Sequence, residues 1–257
     1  MFNRKAELII NNRLFSLDDF DIDFTVDFDS DVEPKVQSIT VYNLSRDSAN
    51  SIQKGDNVIL NAGYEDNKGS IVVGNIAYYE TRKGITDTEF IIYVVSNLDR
   101  WSRLTISKTY RAGTRVSVII QDILSQFGIE IGEFSLVNDF SYKNSRTVSG
   151  ILKNVLEELV KEAGSRLYIS DNVLFITKPF TGTVTGFLLS PETGLISSPE
   201  KIEVEEQEGY KVEMLLNHRI SVNSVIKIES DVVSGNFIVI KGTHTGDFIT
   251  TAEVLQI

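Results

Sequence analysis

The groups best able to do chemistry in this 257-residue chain are crowded into one acidic stretch. Positions 19 to 33 read DFDIDFTVDFDSDVE, with no basic residue and with carboxylates at Asp19, Asp21, Asp23, Asp27, Asp29, Asp31 and Glu33. A calcium-binding loop has Gly at its sixth position and a bidentate Glu at its twelfth. Counted from Asp27 these positions are Val32 and Ser38, and counted from Asp19 they are Phe24 and Ser30. Neither register fits such a loop, so we predict no metal ligands here.

The same carboxylates could form the acid pair of a glycoside hydrolase, whose two groups lie roughly 5 to 10 Å apart with one of them desolvated. Nothing in the sequence sets one Asp apart from its neighbours. Apolar and acidic residues instead alternate from Asp21 to Asp29, the period of a strand with one apolar and one acidic face. The predicted core face consists of Ile22, Phe24, Val26 and Phe28, and the predicted solvated face of Asp21, Asp23, Asp27 and Asp29. The sequence thus predicts no catalytic, cofactor-binding or metal-binding residue.

Two histidines and three tyrosines are the other candidates for a site. His218 in LLNHRI and His244 in KGTHTGD lack partners at metal-ligand spacing and lack a nucleophile elbow nearby, so we predict structural roles for both, with His244 in a turn. Glycine-rich phosphate loops are absent from the sequence, which leaves nucleotide chemistry unsupported. Tyr78, Tyr79 and Tyr93 could stack on bases or sugars, but each lies in a predicted strand where aromatic residues ordinarily pack.

Composition excludes several classes of protein. The net charge of -11 argues against a surface that grips nucleic acid, since phosphate binding depends on clustered Lys and Arg. Without a single cysteine the chain has no disulfide, no thiol catalysis and no cysteine-ligated zinc. The sequence has no apolar run of membrane-spanning length, and MFNRKAELII lacks the core of a signal peptide, so we predict synthesis in a cytosol and no membrane anchor.

The pattern of elements predicts a mainly β chain with an α+β insertion. Strands separated by short turns fill the first part, as in QSITVYNLS, NVILNAGYED, GSIVVGNIAYYETRKG and TEFIIYVVSNLD. The middle has two amphipathic helices, TRVSVIIQDILSQFG and SGILKNVLEELVKEAG, with Ile151 the first residue of the apolar core face of the second, and then a hairpin with Asp171 and Asn172 at its tip. Strands return in KVEMLL, SVIKIES, GNFIVIKGTHTGD and TTAEVLQI. We predict domains at residues 1–107, 108–178 and 179–257, the first and last being antiparallel β-barrels.

A weak internal repeat links the two β parts. An apolar strand, a loop and Gly69 before SIVVG are echoed by SVIKI, a loop and Gly235 before NFIVIKG. Acidity follows the same division, since residues 1–104 hold 11 basic and 17 acidic residues, residues 105–180 hold 9 and 8, and residues 181–257 hold 5 and 11. We therefore interpret the chain as two related acidic β domains with a nearly neutral domain between them.

Motifs in all three parts resemble phage tail baseplate hub proteins. In the segment from Ile39 to Phe90, a strand ending in NLS leads to a Gly-Asp turn, an AGY strand and a G-x-I strand. The middle is similar in GTRVSVIIQDIL and in the helix followed by GSRLYISDNVLFITK. The last part is similar in SPETGLISSPEKIE, LLNHRISVNSVIKIES and GNFIVIKGTHTGDF, which supply a Gly-Leu-Ile entry, an Asn after Leu-Leu and a His-x-Gly-Asp turn. The order of these motifs over nearly the whole chain carries the resemblance.

The resemblance implies a non-enzymatic structural protein of the virion without a cofactor. Its two tube-type barrels would flank the α+β domain, and three chains would form a ring whose barrels continue a hexameric tail tube and line the DNA channel. Implied partners are further copies of the chain, the tail tube protein, a spike or tail-tip protein, other baseplate proteins and the tape measure protein, with DNA passing unbound. Because the chain ends at Ile257, just after the last predicted strand, we expect any hydrolase activity to belong to another protein.

Two alternatives stay open at this point. The chain could instead be a cell-surface or carbohydrate-binding module whose middle domain binds the ligand. The acidic row of Asp21, Asp23, Asp27 and Asp29 could line a channel that repels DNA phosphates, or it could protect an exposed strand edge from pairing with other chains.

Overall fold

The computed structural model describes residues 3–29, 35–65, 67–95, 103–170 and 173–257. This part of the chain divides into two compact units, one of residues 3–29, 35–65, 67–95 and 182–257 and the other of residues 103–170 and 173–181. The fold is mainly β with mostly antiparallel pairing, which confirms that prediction. Among the described residues, no helix has the length and apolar character needed to cross a membrane.

Eighteen strands and three helices make up the described structure. The strands are β1 (Arg4–Ile10), β2 (Arg13–Ser16), β3 (Ile22–Asp29), β4 (Val36–Tyr42), β5 (Asn57–Tyr64), β6 (Asn67–Lys83), β7 (Thr88–Val95), β8 (Thr105–Tyr110), β9 (Ile131–Phe134), β10 (Arg146–Ile151), β11 (Arg166–Ser170), β12 (Val173–Thr177), β13 (Thr183–Leu189), β14 (Glu200–Val204), β15 (Gln207–Leu215), β16 (Ser224–Glu229), β17 (Ser234–Thr245) and β18 (Ile249–Gln256). The helices are α1 (Arg46–Asn50), α2 (Val116–Phe127) and α3 (Leu152–Glu162).

The first unit is built on one 13-stranded sheet. Its order is β14-β15-β18-β17-β3-β4-β7-β6-β5-β1-β2, with β16 paired to β17 and β13 paired to β16. All neighbouring pairs from β14 to β6 are antiparallel. We call β1 to β7 lobe 1 and β13 to β18 lobe 2. Because β17 pairs with β3, the sheet is continuous from one lobe to the other.

The two lobes repeat one strand pattern. The sheet order is β3-β4-β7-β6-β5-β1 in lobe 1 and β14-β15-β18-β17-β16-β13 in lobe 2, so the strands β3 to β7 and β14 to β18 match in both chain order and sheet order. The match does not extend to the remaining strands, because β1 pairs antiparallel with β5 whereas β13 pairs parallel with β16, and β2 has no counterpart among the described strands of lobe 2. A bulge also recurs, because Ala77 of β6 is skipped in the pairing with β7 and Ile240 of β17 is skipped in the pairing with β18. The internal repeat is thereby confirmed for the five matching strands of each lobe, although Gly69 and Gly235 stand at different distances from the bulge.

Each lobe has its own core, since strand alternation turns every second side chain inward. The lobe 1 core includes Leu8, Phe24, Ile39, Leu60 and Ile92, all almost fully buried. The lobe 2 core includes Leu189, Val212, Met214, Phe237 and Val254. Burying a side chain of this size stabilises the fold by about 1.5 to 3 kcal/mol. The lobes also exchange residues, because Leu216 and Phe248 of lobe 2 belong to the lobe 1 core and Phe28 of lobe 1 packs against the lobe 2 core.

The second unit contains both predicted helices. Helix α2 buries Val116, Ile119, Ile120, Ile123 and Leu124 at helical spacing and ends at Gly128. Gly128 has a φ of 63°, a left-handed conformation that glycine adopts without the steric cost of a Cβ. Helix α3 buries a similar stripe and is followed by Gly164 at a φ of 68°. The two helices share one core with strands of the two small sheets β8-β10 and β9-β12-β11.

The start of α3 and the hairpin of β11 and β12 can be compared with the sequence predictions. Ile151 was predicted to lie in the core face of α3, but it is the N-cap of the helix and is 41% exposed, so this prediction was wrong. The reason is that strand β10 extends to Ile151 and the helix begins one residue later. The predicted hairpin pairs β11 with β12 antiparallel, while its tip at Asp171 and Asn172 lies outside the described residues.

Candidate functional surface

The strand β3 presents its acids and its apolar residues to opposite sides of the sheet. Ile22, Phe24 and Val26 are buried, whereas Asp21, Asp23 and Asp27 are exposed and Asp29 is half-buried. The predicted acidic face of β3 is therefore confirmed for these residues, and Asp31 and Glu33 lie outside the described part. We use the name polar face for the side of the run from β14 to β6 that points away from the two cores, although at its β14 end Val204, Ile238 and Leu255 form a separate small buried apolar cluster on this side.

A ladder of alternating charges crosses the polar face in lobe 2 and reaches β3. In cross-strand register, Glu200 lies opposite Lys211, Lys211 opposite Glu253, Glu253 opposite Lys241, and Lys241 opposite Asp29. The Nζ atom of Lys241 lies 3.1 Å from a carboxylate oxygen of Glu253, and that of Lys35 lies 2.6 Å from one of Asp29. Opposite charges facing each other across strands stabilise a sheet, whereas like charges destabilise it. The acidic row predicted for β3 is thus balanced at its Asp29 end.

The other end of the polar face is acidic. Asp21, just before β3, and Asp23 of β3 lie near Tyr42, as do Asp87 of the β6-β7 turn and Glu89 of β7. Burial raises the pKa of the Tyr42 phenol, and the negative charges of Asp23 and Glu89 raise it further. A phenolate would be repelled by these carboxylates, so Tyr42 remains a neutral hydroxyl. The polar face is therefore not uniformly negative, because its excess of acid lies at one end.

The structure also shows that β3 is not an exposed edge. It pairs with β17 from Thr25 to Asp29 and with β4 from Ile22 to Thr25. Beyond Thr25 the side chain of Gln37 replaces the neighbouring strand, since its Nε2 donates to the Asp27 carbonyl and its Oε1 accepts from the Asp27 amide, both at 2.8 Å. The suggestion that the acids protect an open edge was therefore wrong, because the backbone edges of β3 are already occupied.

A groove of about 310 Å³ lies over the ladder. Its charged lining consists of Asp27, Asp29, Lys35, Lys211, Lys241 and Glu253. Thr243 Oγ1 donates to a carboxylate oxygen of Asp27 at 2.6 Å. Cations and anions alternate in this lining. The groove therefore offers no cluster of lysines for a phosphate and no cluster of carboxylates for a metal ion. The described residues contain no group of three or more His, Asp or Glu side chains arranged to hold a metal.

The tyrosines of β6 and β7 lie on or near the surface and partly stack. Tyr78 and Tyr93 face each other across the strands with ring centroids 4.1 Å apart and an interplanar angle of 18°. The Tyr93 hydroxyl donates to the Glu80 carboxylate at 2.9 Å. Tyr79 instead packs against Phe90, with centroids 5.4 Å apart. Tyr93 is thus held by neighbours within the sheet, while one face of Tyr78, which is 52% exposed, is open on the polar face.

His244 is buried within β17, next to the junction of the two lobes. It is 3% exposed, its Nδ1 lies 2.7 Å from Thr250 Oγ1, and its Nε2 lies 3.1 Å from the Ile220 carbonyl. A carbonyl only accepts, so Nε2 carries the proton and Nδ1 accepts from Thr250. The Phe28 ring of lobe 1 lies 4.8 Å away. Burial lowers the pKa of His244 to about 4, so the imidazole is neutral at physiological pH. Its placement in a turn was wrong, because the turn begins after Thr245.

His218 lies between the lobes as well. Its ring covers Gly69 of β6 so closely that a Cβ built on Gly69 would come within 2.3 Å of the His218 Cδ2 atom. A hydrogen bond to the backbone of Asn67 holds the ring there, and burial lowers its pKa. Both histidines therefore fill positions at the lobe junction. Metal-ligating partners are absent from their described surroundings.

Sequence reasoning missed the residues that balance the acids. Lys241, Lys211 and Glu253 come from strands distant in sequence, and only the cross-strand register brings them into one row. The available signal was modest: a lysine directly after the apolar run FIVI in β17, and the alternation of charged and apolar residues in YKVEML of β15. Neither pattern reveals which strands are neighbours.

Comparisons with solved structures identify phage tail proteins as similar folds. The chain matches the 43 kDa tail protein of prophage MuSo2 from Shewanella oneidensis with a TM-score of 0.71 at 9% identity, covering 99% of this chain and 98% of that one. A tail protein from Neisseria meningitidis matches with a TM-score of 0.69 at 7% identity, covering 98% and 96%. A type VI secretion component of E. coli, described as similar to bacteriophage T4 tail proteins gp27 and gp5, matches with a TM-score of 0.69 at 13% identity, covering 97% and 76%.

The comparison with family models adds a match in sequence. No curated protein matches this chain at a significant level. The family model described as baseplate hub gp41, however, matches residues 35–245, from the start of β4 to the end of β17. This range contains the β4 to β7 motifs, the second unit and most of lobe 2, in the same order as the motifs that resemble phage tail baseplate hub proteins. On this match over most of its length, the chain belongs to the baseplate hub gp41 family of phage tail proteins.

Proposed function

We propose that three copies of this chain form a ring that joins a phage tail tube to the tail tip or spike, with the polar face lining the DNA channel. The protein would act as a structural part of the virion and not as an enzyme. The observation that carries the proposal is the internal duplication, in which two lobes of equal strand order are joined by a continuous sheet. Three chains would then present six similar lobes, which suits a tail tube of six subunits per ring.

The direction of the strands supports closure into a ring. Eight strands from β14 to β6 alternate in direction, so the two ends of the run are antiparallel to each other. A closed sheet built from an even number of antiparallel strands per copy can continue around a cyclic axis without reversing a strand. In the tube-type arrangement that we propose, each lobe is a barrel domain and the second unit is an insertion between them.

The charges of the polar face support a channel that does not hold DNA. The ladder pairs each cation with a carboxylate, so Lys35, Lys211 and Lys241 do not form a basic patch for phosphates. Asp21 and Asp23 add negative charge at the other end of the face. A wall of this kind repels the DNA backbone within about 8 Å at physiological salt and lets it slide.

The proposed partners follow from this position. They are the tail tube protein, a spike or tail-tip protein, other baseplate proteins and the tape measure protein. We retain the division into residues 1–107, 108–178 and 179–257 as a proposal, noting that the first border falls inside β8. A variant that replaces residues 103–181 with a short Gly-Ser linker is expected to keep cooperative unfolding and a strand-rich circular dichroism spectrum. An unfolded variant would refute the idea of an independent insertion.

The mass of the assembly tests the ring. Light scattering on the purified chain at high concentration is expected to give three times the 28.8 kDa chain mass, and the complex with co-expressed tube protein is expected to contain three copies of the chain. A monomer under both conditions would refute the ring.

DNA ejection from assembled particles tests the channel. The double variant Asp21→Asn, Asp23→Asn is expected to assemble normally and to slow ejection, because it removes two exposed charges from the polar face. The matched control is Asp18→Asn, which removes an acid that is ion-paired with Lys5 away from β3. Unchanged ejection by the double variant in normal particles would refute the channel role.

A further inference from the structure

The junction inside the chain offers a template for contact between chains. At this junction β17 of lobe 2 pairs with β3 of lobe 1, with Lys241 opposite Asp29 and Thr245 opposite Thr25. The repeat makes β6 the counterpart of β17 and β14 the counterpart of β3. The strands β6 and β14 therefore carry the two halves of a second, unformed junction of the same kind.

Both counterpart strands have an open side. β6 pairs with β5 only as far as Asn75, so from Tyr78 to Lys83 its second side meets no strand among the described residues. β14 is the last strand of the sheet, and within the described chain it pairs with β15 alone. An open edge of this kind is a template for pairing with another chain.

We infer that β6 of one copy pairs antiparallel with β14 of the next copy, in the register of the internal junction. The inference rests on the proposed ring and specifies the strands that close it. Seven antiparallel steps separate β14 from β6 in the sheet, so these strands run in opposite directions. Rotation about an axis along the strands preserves direction, and the two edges therefore meet as an antiparallel pair.

The register follows from the common bulge. Tyr78 follows the bulge in β6 as Lys241 does in β17, and four residues later Arg82 corresponds to Thr245. On the other strand, Glu200 corresponds to Thr25. Glu200 lies opposite Lys211 and Thr25 lies opposite Ser38, and Lys211 and Ser38 occupy equivalent positions in β15 and β4. The internal pair of Thr245 and Thr25 thus translates into Arg82 of one copy opposite Glu200 of the next.

The charges at the two edges are complementary in this register. Glu200 is the outermost residue of the ladder, next to Lys211. Arg82 placed opposite it would extend the alternation of negative and positive side chains across the boundary between copies. A shift of the register by one residue would bring Glu200 opposite Thr81 or Lys83. The side chains of one strand would then point to the opposite face of the sheet, and the alternation of charges would not continue.

The hairpin tips lead to the same conclusion. At the internal junction the β17-β18 turn of lobe 2 places Phe248 in the core of lobe 1. The corresponding β6-β7 turn of lobe 1 carries Ile85, which is fully exposed. If the second junction copies the first, the turn with Ile85 reaches lobe 2 of the neighbouring copy, where this side chain can be buried.

Cysteine cross-linking tests the pairing directly, because the chain has no cysteine of its own. Residues directly opposite each other in antiparallel strands have Cα atoms roughly 4.5 to 5.5 Å apart, a separation that a disulfide spans. The double variant Arg82→Cys, Glu200→Cys is expected to give covalent dimers and trimers on a non-reducing gel. Two variants are matched controls: Thr25→Cys, Thr245→Cys is expected to close within one chain, and Arg82→Cys, Glu203→Cys is expected to give no cross-link.

The outcome of cross-linking separates the strand pairing from the ring itself. Covalent trimers from the first variant alone support the pairing. A trimer seen by light scattering without that cross-link, or equal cross-linking through Glu203→Cys, overturns the assignment of strands and leaves the ring intact. Monomers in solution and with the tube protein overturn the ring and this inference with it.

A charge exchange gives a second readout that needs no oxidation. Arg82→Glu, which also removes the ion pair with Glu80 of the same strand, is expected to weaken self-association at least about fivefold, because it replaces the opposite-charge pair with Glu200 by a like-charge pair. Combining it with Glu200→Arg is expected to restore association. Failure of the second substitution to rescue the first would contradict the proposed register.

Discussion

The two hairpin tips that follow β6 and β17 have the same place in their lobes and opposite surroundings. Phe248 at the lobe 2 tip is 1% exposed and packs between Phe24 and Tyr64 of lobe 1, with ring centroids 5.8 Å away in each case. The side chain of Ile85 at the lobe 1 tip is fully exposed. A repeated strand pattern therefore does not repeat its environment, because one copy of the junction forms within the chain and the other faces outward.

The largest effect is expected from removing the buried tip. Phe248→Ala should lower the free energy of unfolding by about 3 to 5 kcal/mol, because truncating a fully buried Phe loses its transfer free energy and leaves a cavity. The matched variant Ile85→Ala should change it by less than about 0.5 kcal/mol in the isolated chain. Chemical denaturation of both variants checks this contrast. Equal losses would show that the two tips are not in different environments.

The next largest effect is the pH dependence of stability that comes from the neutral His244. Lobe 1 has no equivalent histidine, because Thr81 occupies the corresponding position. The folded-state pKa of His244 is about 4 and the unfolded value is 6.5, so the unfolded chain binds the extra proton first. Stability is therefore complete above pH 6.5 and falls as the pH drops toward 4, by about 3 kcal/mol at 1.36 kcal/mol per pKa unit.

Denaturation at pH 7, 5 and 4 measures this loss, and His244→Gln isolates it from the titration of the carboxylates. The variant should be less stable than the natural chain at pH 7 and should show a shallower decline toward pH 4. A parallel decline in both proteins would assign the pH dependence to other groups.

A smaller effect is expected at Gly242, where lobe 1 has Tyr79. A Cβ on Gly242 would lie 2.5 Å from the Phe28 Cζ atom and 2.4 Å from the Thr251 carbonyl oxygen, so Gly242→Ala should cost about 1 to 3 kcal/mol. Tyr79 stands at the open edge and is 42% exposed, so Tyr79→Ala should cost less. Thermal unfolding of the two variants compares them, and a neutral Gly242→Ala would contradict close packing of Phe28 at the junction.

The smallest effect is expected from the ladder. Lys241→Ala removes the partner of Glu253 and should cost about 0.2 to 1 kcal/mol, with the loss shrinking at high salt because both side chains are partly exposed. Tyr78→Ala at the corresponding position of lobe 1 should show no salt dependence. Denaturation at low and high ionic strength distinguishes the two variants, and a salt-independent loss for Lys241→Ala would argue against a role for its charge.

Local elements with strong periodicity could be predicted from the sequence. Alternation in β3 and in the strands from β4 to β7 followed from side chains that point to opposite faces, and α2 followed from apolar residues at helical spacing that end at Gly128. Elements with weaker patterns were not predicted, among them the hairpin of β1 and β2. Its turn residues Asn11 and Asn12 have positive φ values of 49° and 87°, and the Asn-Asn pair was the available signal.

Which strands are neighbours, and therefore which charges meet on the candidate surface, depends on tertiary packing. The acids of β3 were visible in the sequence, but their partner Lys241 lies more than 200 positions away, and the pairing of β17 with β3 is set by the cores that the two lobes share. Tertiary packing also holds Phe248 at a φ of 63°, a conformation unfavourable for a bulky residue, because burial in the opposite lobe outweighs the local strain. Periodicity records which way a side chain points, whereas the partner it meets depends on contacts between distant parts of the chain.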